Sequence, residues 1–215
     1  MNQIKRPLPF ILASTNTGLM ILNHLDEHKT PRGSYGVGYN FLQNACFDQE
    51  EIDNCVELLK LRRQYFGNGV MAIDCGANIG AHSIRWGIEM TYWGSVISFE
   101  AQERIYYALA GNIAINNCFN IKALNVAIGC PTAKNNTIDI PYVDYTTNSS
   151  FGSLELKKSD HNEFIGQNVD YKKNYKISLV SIDSLELNRL DFLKIDIEGM
   201  EYDAIRGGGK NHKQI

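Results

Sequence analysis

Apolar and polar positions alternate at two different periods along the chain, and the change between them marks the elements. The clearest segment is Val70-Met71-Ala72-Ile73-Asp74-Cys75-Gly76-Ala77-Asn78-Ile79-Gly80. It predicts a short buried strand over 70–74, a glycine-marked turn, and a helix from about Ala81 to Thr91. A second strand, Ser95–Glu100, ends in a carboxylate. A helix from about Glu103 to Asn116 follows, with Ile105, Ala108, Leu109, Asn112 and Ile113 along one side as a mostly apolar stripe. A third strand is expected at roughly Ile121 to Ile128. The rhythm resumes at Ile177–Val180, with a short helix near Ser181–Leu187, a strand over Asp191–Ile197 and a helix starting near Gly199. Apolar strands separated by helices predict a doubly wound, Rossmann-like α/β fold, with a parallel sheet, right-handed crossovers and helices on both faces.

Two stretches fall outside that rhythm. Residues 1–69 read as an N-terminal extension, mixed up to about residue 47, where Gly33, Gly36 and Gly38 alternate with Tyr35, Tyr39 and Phe41. A helix is expected over about 48–65. Asp48 with Glu51 three residues on forms a capping-box pattern, and acids in the first turn oppose Lys60, Arg62 and Arg63 near the end. Ile52, Val56, Leu59 and Leu61 are its apolar anchors, and Gly67 and Gly69 stop it. The Rossmann-like domain then covers 70–215. Residues 130–176 are polar and too long for a plain loop, so they predict a β-hairpin excursion or a flap facing the substrate.

Composition narrows the field. The 215 residues include 21 basic and 24 acidic side chains, a formal net charge of −3, which offers no basic footprint for nucleic acid. The five cysteines are odd in number and lack a C-x-x-C pair, which disfavours a disulfide framework or thiolate zinc site and fits a reducing cytoplasm. Pro7 and Pro9 interrupt the Lys5–Ala13 segment, which is too short for a leader, and no run approaches the ~20 apolar residues of a membrane span. No spacing demands a metal, although Asp196 and Glu198, with Asp183, are carboxylates of the right type. His24, His28, His161 and His212 lack metal spacing, and Trp86 and Trp93 read as core.

The strand–turn–helix at 70–80 lets ligand atoms approach the backbone. A dinucleotide fold would carry G-x-G-x-x-G, whereas here the residues are Gly76, Asn78 and Gly80, so the middle glycine is missing. Asp74, just before the turn, would repel a pyrophosphate but suits the ammonium of a methionine moiety. Glu100 closes the second strand, where an acid accepts ribose hydroxyls. These features together favour S-adenosylmethionine. Alternation in the last strand sets Lys194, Asp196 and Glu198 on one face. Charged side chains there make sense at the carboxyl end of a parallel sheet, as a general base and acceptor-orienting group. The competing reading is a Lys194–Asp196 ion pair with Glu198 capping the next helix, and Glu201 is a candidate partner one turn on. His82, in the first turn after the glycines, lies close to the presumed cofactor, although a histidine there is more often a packing residue. Tyr142, Tyr145, Asn148, Ser149 and Ser153 are candidates for contact with an acceptor.

Four blocks carry a resemblance: Asp-Cys-Gly-Ala-Asn-Ile-Gly (74–80), Ser-Phe-Glu (98–100), Leu-Asn-Val-Ala-Ile-Gly (124–129) and Lys-Ile-Asp-Ile-Glu-Gly-Met-Glu (194–201). In this order they resemble the FkbM-type methyltransferases, class I enzymes dependent on S-adenosylmethionine and commonly O-directed. The resemblance implies that Asp74, Gly76, Asn78 and Gly80, with Ala77 in the same turn, surround the methionine part. Glu100 would hold the ribose, and Ala101 and Gln102 would lie near the adenine. The chemistry itself is expected, from the strand's own charged residues, at Lys194, Asp196 and Glu198. The chain departs from the family in having Ala101 where a proline is frequent, and in ending before the further strands the family usually adds. The expected activity is methyl transfer to a hydroxyl of a sugar or small molecule. The rivals are a nicotinamide-dependent oxidoreductase and an inactive, truncated methyltransferase fragment.

Overall fold

A computed structural model describes residues 6–133 and 135–209. His212, named above, lies outside them. The N-terminal part forms a hairpin of β1 (Phe10–Thr15) and β2 (Gly18–Asn23), a smaller one of β3 (His28–Thr30) and β4 (Gly33–Tyr35), then α1 (Val37–Asn44) and α2 (Gln49–Phe66). The alternation that follows is β5 (Val70–Cys75), α3 (Ala81–Glu89), β6 (Gly94–Phe99), α4 (Glu103–Ile115) and β7 (Ile121–Leu124). Next come β8 (Ala127–Ile128), β9 (Thr137–Pro141), β10 (Asn174–Val180), β11 (Phe192–Ile195) and α5 (Glu201–Arg206).

The central sheet is parallel, in the order β11-β5-β6-β7. The run Val70-Met71-Ala72-Ile73 serves both faces of β5, as a strand covered on both sides must. Val70 and Ala72 enter a core with Ile84, Trp86 and Val96. Met71, Ile73 and Cys75 pack on the other side with Phe99, Ile182 and Leu190. Trp86 and Trp93 are both buried, and the Trp86 ring meets Phe192 edge-on at 5.3 Å.

Three expectations are corrected. The single strand expected over 121–128 is two strands in two sheets. Asn125 between them donates its side-chain amide to the carbonyls of Glu100 and Ala101 (2.8 and 3.2 Å), and beyond it Ala127–Ile128 pair with a different strand. The strand near 177–180 likewise does not extend the central sheet. β10 pairs with β8 in parallel and with β9 antiparallel, giving a separate three-stranded sheet β8-β10-β9. Within 130–176, β9 pairs antiparallel with β10 across a long connection that carries a short 3-10 helix, Phe151–Ser153.

The third correction concerns α2. Asp48 sits at φ 39 and makes no side-chain cap bond, so the capping box does not form. Glu51 turns toward His82 instead. Ile52, Val56 and Leu59 are buried, but Leu61 is 45% exposed because it falls off their 3.6-residue stripe.

Asn112 in the apolar stripe of α4 also has a physical account. Its carbonyl oxygen accepts the Ile21 N–H at 2.6 Å, and its amide donates to the carbonyls of Ile21 and Ile79. One turn on, Asn116 bonds both backbone groups of Leu19. The two amides pair with β2 as a neighbouring strand would, and so fasten the N-terminal hairpin to the core. Among the described residues no helix is long and apolar enough to cross a membrane.

Candidate active site

Parallel strands deliver their carboxyl ends to one edge, and three turns converge there. The turn after β5 is tight: Gly76 has φ 77 and Asn78 φ 50. A side chain at Gly76 would collide with the backbone carbonyl of Asp196, so only glycine lets the ends of β5 and β11 come together. The turn after β6 carries Glu100–Gln102. The turn after β11 carries Asp196–Glu198, with Glu198 at φ 43 and Gly199 at φ 84.

These turns line a cavity of about 280 Å³. Of the residues singled out from the sequence, Gly76, Ala77, Asn78, His82, Glu100, Ala101, Gln102, Lys194, Asp196 and Glu198 all face it. Asp74 and Gly80 do not. Gly80 (φ 96) is packed against Leu109 and Ile84. Asp74 is fully buried behind the cavity: one oxygen accepts the Ser83 hydroxyl at 2.6 Å, and the other lies 3.5 Å from Lys194 Nζ without a hydrogen bond. The hydroxyl on the first turn of α3 captures the carboxylate that was expected to reach a ligand.

Glu100 is almost wholly buried and, among the described residues, makes no ion pair. Its oxygens accept the backbone N–H groups of Asn78 (2.9 Å) and Gln102 (2.8 Å). Burial pushes its carboxyl up to about 7, against the pull of those two N–H groups. Each oxygen keeps a free lone pair, as an acceptor for a pair of hydroxyls requires. The Asn125 amide braces the carbonyls of Glu100 and Ala101, a stiffening the absent proline would otherwise provide. Gln102 spends its side chain on protein: its amide donates to the Phe151 carbonyl, and its oxygen accepts the Tyr145 hydroxyl.

Lys194, Asp196 and Glu198 form the opposite side. Burial pulls the Lys194 ammonium down, but Asp74 and Asp196 outweigh it and hold the group above the ordinary lysine value. Its Nζ lies 3.3 Å from Asp196 Oδ2. The Lys194–Asp196 pair is thus present, while the capping half of that alternative is not. Glu201, not Glu198, accepts backbone N–H groups, those of Ile197 and Gly199. Burial, then Asp196 and Glu201 nearby, push the Glu198 carboxyl up to about 7. His82 is buried edge-on to Trp86, and desolvation holds its pKa below the usual value. Its neighbour Glu51 lies 3.2 Å from Nε2.

The far wall is formed by Tyr35–Val37, Asn40, Phe47 and Asp48, which sequence reading missed, and by Ser150, Gly152, Ser153, Leu154 and Leu156, which lie in the stretch expected to face the substrate. The glycine-rich turns at 33–38 were a local signal, but nothing in them points to a cavity closed from another part of the chain. Of the candidate acceptor contacts, Ser153 reaches the cavity and Tyr145 braces Gln102, whereas Ser149 binds the Ile165 carbonyl and Asn148 reaches toward Glu27. Tyr142 is exposed beside Tyr175.

A glycine turn at the end of one central strand and an acid at the tip of the next, on a parallel sheet flanked by helices, define a Rossmann-like methyltransferase fold of the S-adenosylmethionine-dependent class. The family model of the FkbM methyltransferase domain matches residues 74–215, more than half of the chain, and the chain belongs to that family. The cofactor of the class is S-adenosylmethionine.

Among solved structures, the chain is similar to a methyltransferase FkbM from Methylobacillus flagellatus KT, with 19% identity over 69% of this chain and 34% of that one, TM-score 0.44. It is similar to a SAM-dependent methyltransferase from Agrobacterium tumefaciens, with 10% identity, 57% and 34% coverage and TM-score 0.36. A third is a Pyrococcus abyssi tRNA (uracil-54, C5)-methyltransferase in complex with S-adenosyl-L-homocysteine, with 13% identity, 59% and 29% coverage and TM-score 0.34. The chain spans about a third of the length of these structures. No curated protein matches it.

Proposed function

We propose that this chain transfers a methyl group from S-adenosylmethionine to a hydroxyl of a sugar or small-molecule acceptor. The observation that carries the reading is the convergence of Gly76–Asn78, Glu100–Gln102 and Lys194–Glu198 on one cavity. The cavity fits the cofactor chemically. Glu100 presents unused acceptor capacity to the two ribose hydroxyls. Gly76–Asn78 bring main chain to the cavity surface, and Lys194 with Asp196 offers one cation and one anion to an amino acid moiety. S-adenosylmethionine, when bound, supplies an electrophilic methyl on a sulfonium centre.

On the protein's side, Glu198 takes the proton of the acceptor hydroxyl. A carboxyl at about 7 divides between acid and base near neutral pH, the condition for efficient proton transfer. Asp196 is occupied with Lys194, so it orients rather than accepts. Leu154, Leu156 and Met200 line the same cavity and exclude water from the reacting atoms. Residues 1–69 act in this reading as an extension that completes the cavity of a catalytic domain beginning at 70. Five free cysteines support a cytoplasmic place of action.

Isothermal titration with S-adenosylhomocysteine tests the cofactor half. Binding is expected, and a folded protein that ignores it while binding NADH would sink the reading. Glu198→Gln is expected to slow turnover by about 10²–10⁴ with S-adenosylhomocysteine affinity nearly unchanged. An equal loss of both would make Glu198 structural.

A further inference from the structure

One buried carboxylate away from the strand tips has contacts that the proposed chemistry leaves unused. Asp26 follows β2 and is 3% exposed. One oxygen accepts the Gly38 N–H at the start of α1 and the other accepts the Phe151 N–H, both at 3.0 Å. Its peptide carbonyl accepts the Tyr39 N–H, and its backbone pairs with Ser149 in an isolated parallel bridge. The residue thus joins two segments that lie more than a hundred positions apart. Side chains at Gly36 or Gly38 would strike the backbone of Asp26 or Asn23, so glycine is what lets α1 start this close.

Both segments line the cavity, Gly36 and Val37 from one, Ser150, Gly152 and Ser153 from the other. A chain of bonds continues inward. Asn23 donates to the Tyr145 carbonyl, the Tyr145 hydroxyl donates to Gln102, and Gln102 donates to the Phe151 carbonyl. The Gln102 backbone N–H in turn holds Glu100. Asp26 makes no ion pair among the described residues. Burial pushes its carboxyl up to about 6, with the N–H groups of Gly38, Phe151 and Val37 pulling the other way. Burying an acid without a cation is costly.

We propose that Asp26 is a positioning residue that holds segments 36–38 and 150–153 together as one lid, so that a ligand ordering either segment orders both. The proposal rests on the reading of the cavity as the S-adenosylmethionine site.

Hydrogen exchange with and without S-adenosylhomocysteine tests it, on the wild type and on Asp26→Asn. Asp191→Asn serves as a control that removes a buried acid at the far end of the sheet. In the wild type the ligand is expected to slow exchange in both segments together. Asp26→Asn should raise the Kd about tenfold, as expected for loss of a buried charge-assisted bond. It should also speed ligand-free exchange in both segments while leaving α3 unchanged. The control should lower stability with no change in Kd. Unaltered affinity in a folded Asp26→Asn, or protection confined to one segment, overturns the lid. If the wild type does not bind the ligand, the methyltransferase reading falls, and ligand-free exchange still decides whether Asp26 joins the segments. Should Asp26→Asn fail to fold, Tyr145→Phe cuts the same chain of bonds further on. It should raise the Kd about threefold and loosen 149–154, and no change in either measurement overturns the proposal.

Discussion

Asp191 and Glu100 are buried acids at opposite ends of the same parallel sheet, and their surroundings could hardly differ more. Asp191 precedes β11. Arg62 reaches it at 2.9 Å and Arg189 at 2.6 Å, and it accepts the Met71 N–H at 3.0 Å. Burial raises its carboxyl, but these partners prevail and hold it below the usual range. It joins α2, β5 and β11 at the amino ends of the strands. Glu100 accepts two backbone N–H groups and, among the described residues, makes no ion pair, and burial wins there. An acid whose charge is satisfied by protein fastens the fold. An acid left short of partners is poised for something else. At one end of the sheet the buried acid is held by two guanidinium groups, and the other end is where the proposed ligand site lies.

The largest effect expected from this contrast is on stability. Asp191→Ala should cost about 3 kcal/mol in chemical denaturation, because two guanidinium groups lose their shared partner, while S-adenosylhomocysteine affinity stays the same. A drop in affinity of similar size would erase the division between the two ends. Glu100→Ala should act the other way round. Titration calorimetry should show about 1–3 kcal/mol of affinity lost with the ribose hydrogen bonds. Loss of stability without loss of affinity would make Glu100 a turn-former.

The pH dependences should also have opposite signs. Asp191 is depressed when folded, so its stabilisation is present above the unfolded value of 3.8 and disappears as pH falls through the lower folded pKa. Glu100 is raised from 4.5 to about 7, so the folded state holds a proton that the unfolded state has released, and stability declines as pH climbs through that interval. Asp26 and Glu198 shift in the same direction, so the wild type must be compared with Glu100→Gln. Between pH 5 and pH 7.5 the variant's stability should rise relative to wild type. A constant difference would show that Glu100 is not raised. The smallest effect is expected at Asn125→Ala. Removing the brace on Glu100 and Ala101 should weaken S-adenosylhomocysteine binding by about 1 kcal/mol in the same titration, and an unchanged affinity would make the brace irrelevant to the site.

Local signals in the chain were enough for much of this. Period-two apolar runs, glycines after β5 and an acid closing β6 determine the central parallel sheet and the turns at its carboxyl ends, because strand alternation and positive φ are properties of neighbouring residues. The cavity-lining residues Glu100, Lys194, Asp196 and Glu198 were legible for the same reason. Contacts between distant segments were not. Whether Asp74 faces a ligand or Ser83 depends on where α3 starts over β5. Whether 121–128 is one strand or two depends on the distant β10, which pairs with Ala127–Ile128. The far wall, which brings Tyr35 and Gly36 to the same cavity as Ser150 and Gly152, joins segments more than a hundred positions apart. Burial and hydrogen-bond partners belong to the packed chain, so the tertiary structure alone decided which acids are satisfied and which remain available.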